Sequence, residues 1–213
     1  MNSAKENILK KIRKALTNNP APMPFPEAEQ EHAIYTQSNQ PIEEVFVQEF
    51  QKLGGKFVYC ANENELVQQL TTLMDTLRWN TIHCKDPYLL DLFNDTLFPL
   101  KKADQTMQDI QVGISTCECI VARTGSVVLS AAQPYGRALP VYAPIHITVA
   151  FANQVVWNLD EAIQKLQDKY QDNLPSMISL TTGPSRTADI EKTLVVGVHG
   201  PKEVYVFYID ETR

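Results

Sequence analysis

Helix-like stripes and strand-like runs of hydrophobic residues alternate along this 213-residue chain. Apolar residues recur every three or four positions in segments 41–53, 62–77 and 160–170, which is the spacing of a helix with one buried face. Short apolar runs rich in β-branched and aromatic residues predict strands at residues 56–60, 81–84, 109–114, 144–150, 176–180 and 204–209. Strands that alternate with helices indicate a three-layer α/β/α fold with a mostly parallel sheet.

One segment departs from this alternation. Residues 117–122 and 126–130 are apolar runs on either side of Arg123-Thr124-Gly125, a pattern typical of an antiparallel hairpin closed by a glycine turn. We therefore expect an antiparallel hairpin insertion within the α/β order.

The first 38 residues follow a different pattern. Ser3 and Glu6 form a capping box that opens a predicted amphipathic helix over residues 3–17. Prolines then alternate with other residues, which favours an extended connector; they are Pro20, Pro22, Pro24 and Pro26. The predicted organisation is an N-terminal helix and proline-rich linker over residues 1–38, followed by an α/β domain over residues 39–213.

Composition narrows the possible functions. The 19 basic and 25 acidic residues give a net charge of −6, which argues against a nucleic-acid surface. No apolar run reaches the roughly 18 residues of a membrane helix, and the N-terminus has no hydrophobic signal core. We expect a cytoplasmic protein without a membrane span.

The four cysteines are few and irregularly placed, so reduced thiols are expected; they are Cys60, Cys84, Cys117 and Cys119. The Cys117-x-Cys119 pair has no second pair nearby, whereas a structural metal site needs four ligands. The sequence therefore predicts no metal or other cofactor in this chain.

The segment from residue 181 to 201 contains the most suggestive residues. Gly183-Pro184 predicts a turn, and Thr187 is a suitable N-cap for a helix that Gly200-Pro201 would end. This helix would carry acidic residues in its first turn and an apolar stripe at spacing four; these are Asp189 and Glu191, then Ile190, Leu194 and Val198. Free N–H groups at its start, beside Ser185 and Arg186, suit a carboxylate or phosphate.

Two long motifs in this region, Gly183-Pro184-Ser185-Arg186-Thr187-Ala188-Asp189-Ile190-Glu191 and Gly197-Val198-His199-Gly200-Pro201-Lys202-Glu203, resemble the C-terminal signature of the lactate utilization (LUD) domain family. Similar motifs upstream, at residues 122–126, 136–139 and 144–147, extend the resemblance over roughly residues 40–210. The resemblance implies a fold similar to the superfamily of sugar-phosphate isomerases and CoA transferases.

The resemblance also implies a function. It suggests a non-cluster subunit of an iron–sulfur complex that oxidises L-lactate to pyruvate, with the iron–sulfur clusters held by partner subunits that carry ferredoxin-like runs of cysteines. Two alternatives stay open. One is a stand-alone enzyme of the CoA-transferase or sugar-phosphate-isomerase kind, or an anion-binding module. The other is an interaction module that docks through its N-terminal helix.

Candidate ligand-binding residues come from the loops of these motifs. Ligands of open parallel sheets bind at the carboxyl ends of the strands, and two arginines there would favour a di-anionic or carboxylate ligand, a small anion such as a carboxylate or phosphate. The candidates are Thr124, Gly125, Ser126, Arg137, Gly183, Ser185, Arg186, Thr187 and His199. The other interpretation is that both arginines form structural ion pairs with Asp189, Glu191 or Glu118.

The sequence assigns no catalytic residue. Arg123 stands where the family pattern, Ala-Glu-Thr-Gly, has an acid, so a nucleophile or base at that position cannot operate here. Glu118 is the nearest carboxylate, and His146 lies in an apolar strand where a histidine is usually a packed residue.

Overall fold

The computed structural model describes residues 4–18, 39–96, 100–103, 109–187 and 195–212. By its internal contacts the chain divides into two units, residues 1–37 and 38–213. In the first unit, α1 (Ala4–Asn18) is the predicted amphipathic helix, and its apolar residues Ile8, Leu9 and Ile12 are exposed. The proline-rich linker lies outside the described residues.

The second unit alternates helices and strands, as the hydrophobic pattern predicts. Its described helices are α2 (Ile42–Lys52), α3 (Glu63–Leu77), α4 (Pro87–Leu92), α5 (Leu139–Tyr142) and α6 (Leu159–Tyr170). Its described strands are β1 (Lys56–Cys60), β2 (Ile82–Cys84), β3 (Leu100–Lys102), β4 (Val112–Thr116), β5 (Cys119–Val121), β6 (Ser126–Ser130), β7 (Ile145–Phe151), β8 (Val155–Val156), β9 (Ile178–Thr181), β10 (Arg186–Thr187), β11 (Val195–Val196) and β12 (Glu203–Ile209).

Six strands form a central parallel sheet in the order β1-β12-β7-β4-β2-β3. The strand latest in sequence, β12, lies between the first strand and β7, so that Tyr205 pairs with Lys56 on one side and Ile147 on the other. Parallel strands need long crossover connections, which are usually helices. This arrangement establishes the α/β class.

Local signals explain where the crossover helices begin. The Asn62 side chain accepts a hydrogen bond from the Glu65 N–H at 3.0 Å and caps α3, while Asp86 accepts one from the Tyr88 N–H at 3.1 Å and caps α4. Leu66 in α3 is fully buried, in agreement with the predicted apolar stripe.

A second sheet of four strands has the order β8-β5-β6-β9. The predicted hairpin is confirmed, because β5 and β6 pair antiparallel on either side of a short 3₁₀ turn at Ala122–Thr124. The hairpin belongs to this second sheet and not to the central one. Strand β9 also pairs antiparallel with β6, so the region predicted as one more strand of the parallel sheet joins the hairpin.

Buried side chains fall into three clusters that follow these layers. Helices α3 and α4 cover one face of the central sheet. The opposite face packs against α2, α5 and the inner face of the second sheet, with Phe46 and Phe50 fully buried and stacked at 5.3 Å between ring centroids. Helix α6 covers the outer face of the second sheet through Ala162 and Leu166.

The helix predicted over residues 187–199 is wrong in the described residues. Strand β10 pairs antiparallel with β11, and the Gly197 N–H donates to the Ser185 carbonyl at 2.9 Å. Thr187 is therefore a strand residue and not an N-cap, and Val198 is exposed. Residues 188–194, which carry Asp189, Ile190, Glu191 and Leu194, lie outside the described residues.

Candidate functional site

A cavity of about 260 Å³ lies between the second sheet, α5 and two loops that meet beside them. The loop Thr182–Ser185 follows β9, and the loop His199–Pro201 precedes β12. The Ser185 N–H donates to the Pro201 carbonyl at 2.8 Å, which ties the two loops together. The walls of the cavity are therefore held by backbone hydrogen bonds.

The cavity lies at the amino ends of β7 and β12, and not at the carboxyl ends of the parallel strands, where ligands were expected. Pro201 lies two residues before β12, and the Lys202 N–H donates at 2.7 Å to the carbonyl of Pro144, the residue before β7. The reason for the difference is that the Arg137 and Gly183 loops follow β6 and β9, which belong to the second sheet.

Four of the nine predicted site residues line this one cavity: Arg137, Gly183, Ser185 and His199. Arg137 and His199 are exposed, while Gly183 is buried. The Arg137 guanidinium donates a hydrogen bond from Nη2 to Ser176 Oγ, which uses one of its five N–H donors and fixes the side chain.

Thr124 and Ser126 lie behind the cavity wall. Thr124 Oγ1 is 2.8 Å from Ser126 Oγ, and Ser126 Oγ is 2.8 Å from Thr182 Oγ1. Thr182 lines the cavity, so these hydroxyls form a chain that ends at its surface. Gly125 turns away from the cavity and packs against the backbone of α2.

Arg186 does not line the cavity. Its Nη2 donates to the carbonyl oxygen of Leu53 at 2.6 Å, at the end of α2. The side chain of Thr187 lies outside the described residues. The alternative in which arginines pair with Asp189 or Glu191 also involves residues outside the described part of the chain.

Arg123 also contacts a neighbouring element and is not a cavity residue. Its Nε donates to Asn158 Oδ1 at 2.8 Å, and Asn158 is the N-cap of α6. The position at which the family pattern has an acid therefore lies beside α6.

Cavity residues that the sequence analysis missed lie on and next to β9. Met177, Ser179, Leu180 and Thr181 all line the cavity. The available signal was the polar alternation of Ser179 and Thr181, because residues at every second position share one face of a strand. Both are partly buried, whereas Ile178 is 44% exposed.

Glu118 is a buried carboxylate at the second sheet and not part of the cavity. Its side chain accepts hydrogen bonds from Ser130 Oγ, Tyr170 Oη and Lys169 Nζ, the last at 2.8 Å. Burial by itself would raise the pKa of Glu118, but the hydrogen bonds from these three side chains outweigh it and hold the pKa below its usual value. Glu118 therefore joins α6 to the hairpin as an ionised group.

All four cysteines are free and buried. Burial raises the pKa of Cys60, Cys84 and Cys119 to about 12, so these thiols are protonated at neutral pH and unreactive.

Among the described residues, no group of three or more His, Cys, Asp or Glu side chains could hold a metal ion. None of the described helices is long and apolar enough to cross a membrane.

His146 is fully buried in the middle of the central sheet. Its Nε2 lies 3.0 Å from Ser115 Oγ on the neighbouring strand β4. Burial lowers the pKa of His146 to about 4, because a charged imidazole is poorly solvated in this environment. The residue is thus a neutral, packed histidine, as its position in the sequence suggested.

We expect the stability of the domain to fall as the pH drops from 6.5 to about 4. An unfolded histidine takes up its proton near pH 6.5, while His146 in the folded chain does so only near pH 4. The unfolded state therefore binds more protons in this window, and the contribution, complete above pH 6.5, decreases by about 3 kcal/mol by pH 4. Urea unfolding at pH 7, 6 and 5 measures it, and His146→Gln should flatten the dependence. An equally steep dependence in that variant would assign it to other groups.

The comparisons with known proteins agree with one another. The family model of the LUD domain matches residues 43–209. Lactate utilization protein C of Macrococcus caseolyticus is 35% identical over 109 residues, which are 50% of this chain and 47% of that protein. Lactate utilization protein C of Bacillus subtilis is 35% identical over 114 residues, 52% of this chain and 46% of that protein. The chain thus spans about half the length of the curated relatives it matches.

The fold is similar to a solved structure. A crystal structure of a DUF162 family protein from Deinococcus radiodurans superimposes with a TM-score of 0.60 over 82% of this chain and 99% of that one, at 16% sequence identity. This likeness supports the α/β architecture described above.

Proposed function

Because the chain belongs to the LUD domain family, we propose that it takes part in lactate utilization by binding a small carboxylate in the cavity beside β9. Its role would be that of a non-cluster subunit in an iron–sulfur complex that oxidises L-lactate to pyruvate. The clusters would then be held by partner subunits, and this chain would supply a binding and assembly surface.

The observation that carries the proposal is the set of donors around the cavity. The Arg137 guanidinium, the Ser185 hydroxyl and the His199 imidazole all line a space of about 260 Å³. This volume is smaller than that of drug-sized binding sites, so it suits a small metabolite. A guanidinium group binds a carboxylate through two parallel hydrogen bonds, and hydroxyl and imidazole groups add further donors.

The electrostatic setting supports an anion as the ligand. None of the described residues that line the cavity is acidic, although the chain as a whole carries a charge of −6. The apolar walls include Leu129, Pro140 and Met177. An anionic group bound there would accept hydrogen bonds from the donors, and the rest of a small metabolite would contact the apolar residues.

Replacing Arg137 tests the binding site directly. We expect Arg137→Ala to weaken the binding of L-lactate, pyruvate or propionate about tenfold, since a charge-assisted hydrogen bond is lost. Isothermal titration calorimetry on the purified full chain measures the affinity. Arg186→Ala is the matched control, because it removes the same charge from a side chain that donates to Leu53 and does not line the cavity. Equal affinities in the wild type and both variants would overturn the proposed site.

The complex is tested separately. Affinity purification of the tagged chain from its own host, followed by mass spectrometry and a lactate-dependent dye-reduction assay, should recover cysteine-rich iron–sulfur proteins and lactate oxidation. Recovery of the chain alone and without activity would overturn the subunit role and leave the binding site to be judged by calorimetry. The same purification with residues 1–38 deleted tests whether the N-terminal segment binds the partner subunits.

A further inference from the structure

A second cavity adjoins the proposed carboxylate site. It has a volume of about 320 Å³ and shares Val141, His199 and Gly200 with the first cavity. Lys202, Tyr142 and Pro144 line the second cavity and not the first. The same loop before β12 therefore forms a wall of both spaces.

Lys202 is positioned by its surroundings. Its backbone N–H donates to the Pro144 carbonyl at 2.7 Å. Its methylene stem lies across Gly197, where a Cβ atom would come within 2.1 Å of Lys202 Cγ. Gly197 also has φ +79°, a backbone conformation that residues other than glycine rarely adopt. The backbone at residue 197 thus leaves room for the lysine stem at the edge of the second cavity.

Each of the two cavities is lined by a cationic side chain of its own. Arg137 lines only the first cavity, Lys202 lines only the second, and His199 lines both. The described lining residues of the second cavity, like those of the first, include no Asp or Glu. An anionic group bound in one of the cavities can contact either Arg137 or Lys202, but not both.

We propose that the two cavities form one elongated site for a ligand with anionic groups at its two ends. One group binds Arg137 and Ser185, the chain between the groups passes His199 and Gly200, and Lys202 binds the second group. This inference rests on the proposed carboxylate site and specifies its ligand further, because a monocarboxylate such as lactate supplies only one of the two groups.

Carboxylates of graded length test the inference. Malonate, succinate, glutarate and adipate are titrated calorimetrically into the full chain beside the monocarboxylates of equal carbon number. We expect at least one of the longer dicarboxylates to bind about tenfold more tightly than its monocarboxylate partner, the gain from one further charge-assisted hydrogen bond.

Variants identify the cation responsible. Lys202→Gln should remove the advantage of the dicarboxylate and leave the affinity for monocarboxylates unchanged, whereas Arg137→Ala should weaken both classes. Lys101→Gln, on the edge strand β3, removes the same charge elsewhere and should retain the advantage.

The possible results separate the two proposals. If monocarboxylates bind through Arg137 but dicarboxylates gain nothing, or gain equally in Lys202→Gln, the elongated site is wrong while the carboxylate site stands. If neither class binds, both proposals fail.

Discussion

Replacing Gly125 by alanine is expected to destabilise the domain by about 4 kcal/mol, one of the largest effects of any single methyl group in this fold. Gly125 has φ +59°, and a Cβ built on it would lie 2.4 Å from the backbone nitrogen of Phe50 and 2.6 Å from the carbonyl carbon of Glu49. These are backbone atoms of α2, so the helix itself would have to move. Phe50 is fully buried, and such a shift would disturb its stacking on Phe46.

Gly136 provides the matched control for this substitution. It has a similar left-handed conformation, φ +63°, but a Cβ there would have no atom within 4 Å. Gly136→Ala should therefore cost only the conformational penalty, about 1 kcal/mol. Urea unfolding of both variants at the same pH measures the two free energies, and their difference reports the close approach of the hairpin turn to α2. Equal losses would mean that α2 adjusts without cost and that the contact is not limiting.

Replacing Glu118 by glutamine is expected to lower the free energy of unfolding by about 3 kcal/mol. The buried carboxylate accepts hydrogen bonds from Ser130, Lys169 and Tyr170. A glutamine amide of the same shape has one acceptor oxygen and an NH₂ group, which would face donors. At least one of the three donors would lose its partner, and the Lys169 ammonium would lose its counter-ion.

Glu203→Gln makes the same chemical change in an exposed setting. Glu203 accepts from Lys56 Nζ at 2.6 Å, and both side chains are about half exposed. Exposed ion pairs contribute less than about 1 kcal/mol, so this variant should remain close to the wild type in thermal and urea unfolding. A loss as large as that of Glu118→Gln would show that burial does not determine the difference.

The dependence on pH gives the Glu118 interaction a second signature. The pKa of Glu118 is lowered in the folded chain, so its contribution is present above the unfolded pKa and is lost as the pH falls through the folded pKa. That loss begins near the unfolded pKa of 4.5, whereas the His146 contribution is already lost from about pH 6.5 downward. On acidification the His146 effect should therefore appear before the Glu118 effect.

Hydrophobic periodicity predicted α3, which buries one stripe, and continuous apolar runs predicted β7 and β12, which are buried on both faces. The cap of α3 and the β-branched residues of the two strands are local signals. The hairpin around Gly125 was equally local. What the periodicity could not specify was the partner of each strand, and β9 joins β6 in the second sheet through pairing that no nearby residue encodes.

The error in the described residues of the segment 187–199 has a physical cause. Spacing of four between Ile190, Leu194 and Val198 is typical of a helix, but Val195 and Val196 are adjacent β-branched residues, which favour a strand. They pair with Arg186 and Thr187, and the Gly197 N–H bonds the Ser185 carbonyl. These contacts form only when the chain folds back on itself, and they outweigh the local preference for a helix.

Only part of the candidate site could be predicted from the sequence. The loops of the motifs pointed to Arg137, Ser185 and His199, which share a cavity. Arg186 adjoins Ser185 in sequence, yet it belongs to β10 and donates to the carbonyl of Leu53. Lys202 was missed, since its place beside Gly197 follows from backbone packing and not from a motif.

The position of β12 has a consequence for how the protein is made. Strand β1 is synthesised before its partner in the central sheet, which consists of residues 203–209. Until these residues are synthesised, β1 and β7 each lack a neighbour, and the nascent chain exposes unpaired strand edges that other chains could join. The central sheet thus closes only after β12 has been synthesised, and pairing across so many residues makes this step slow compared with the formation of the helices.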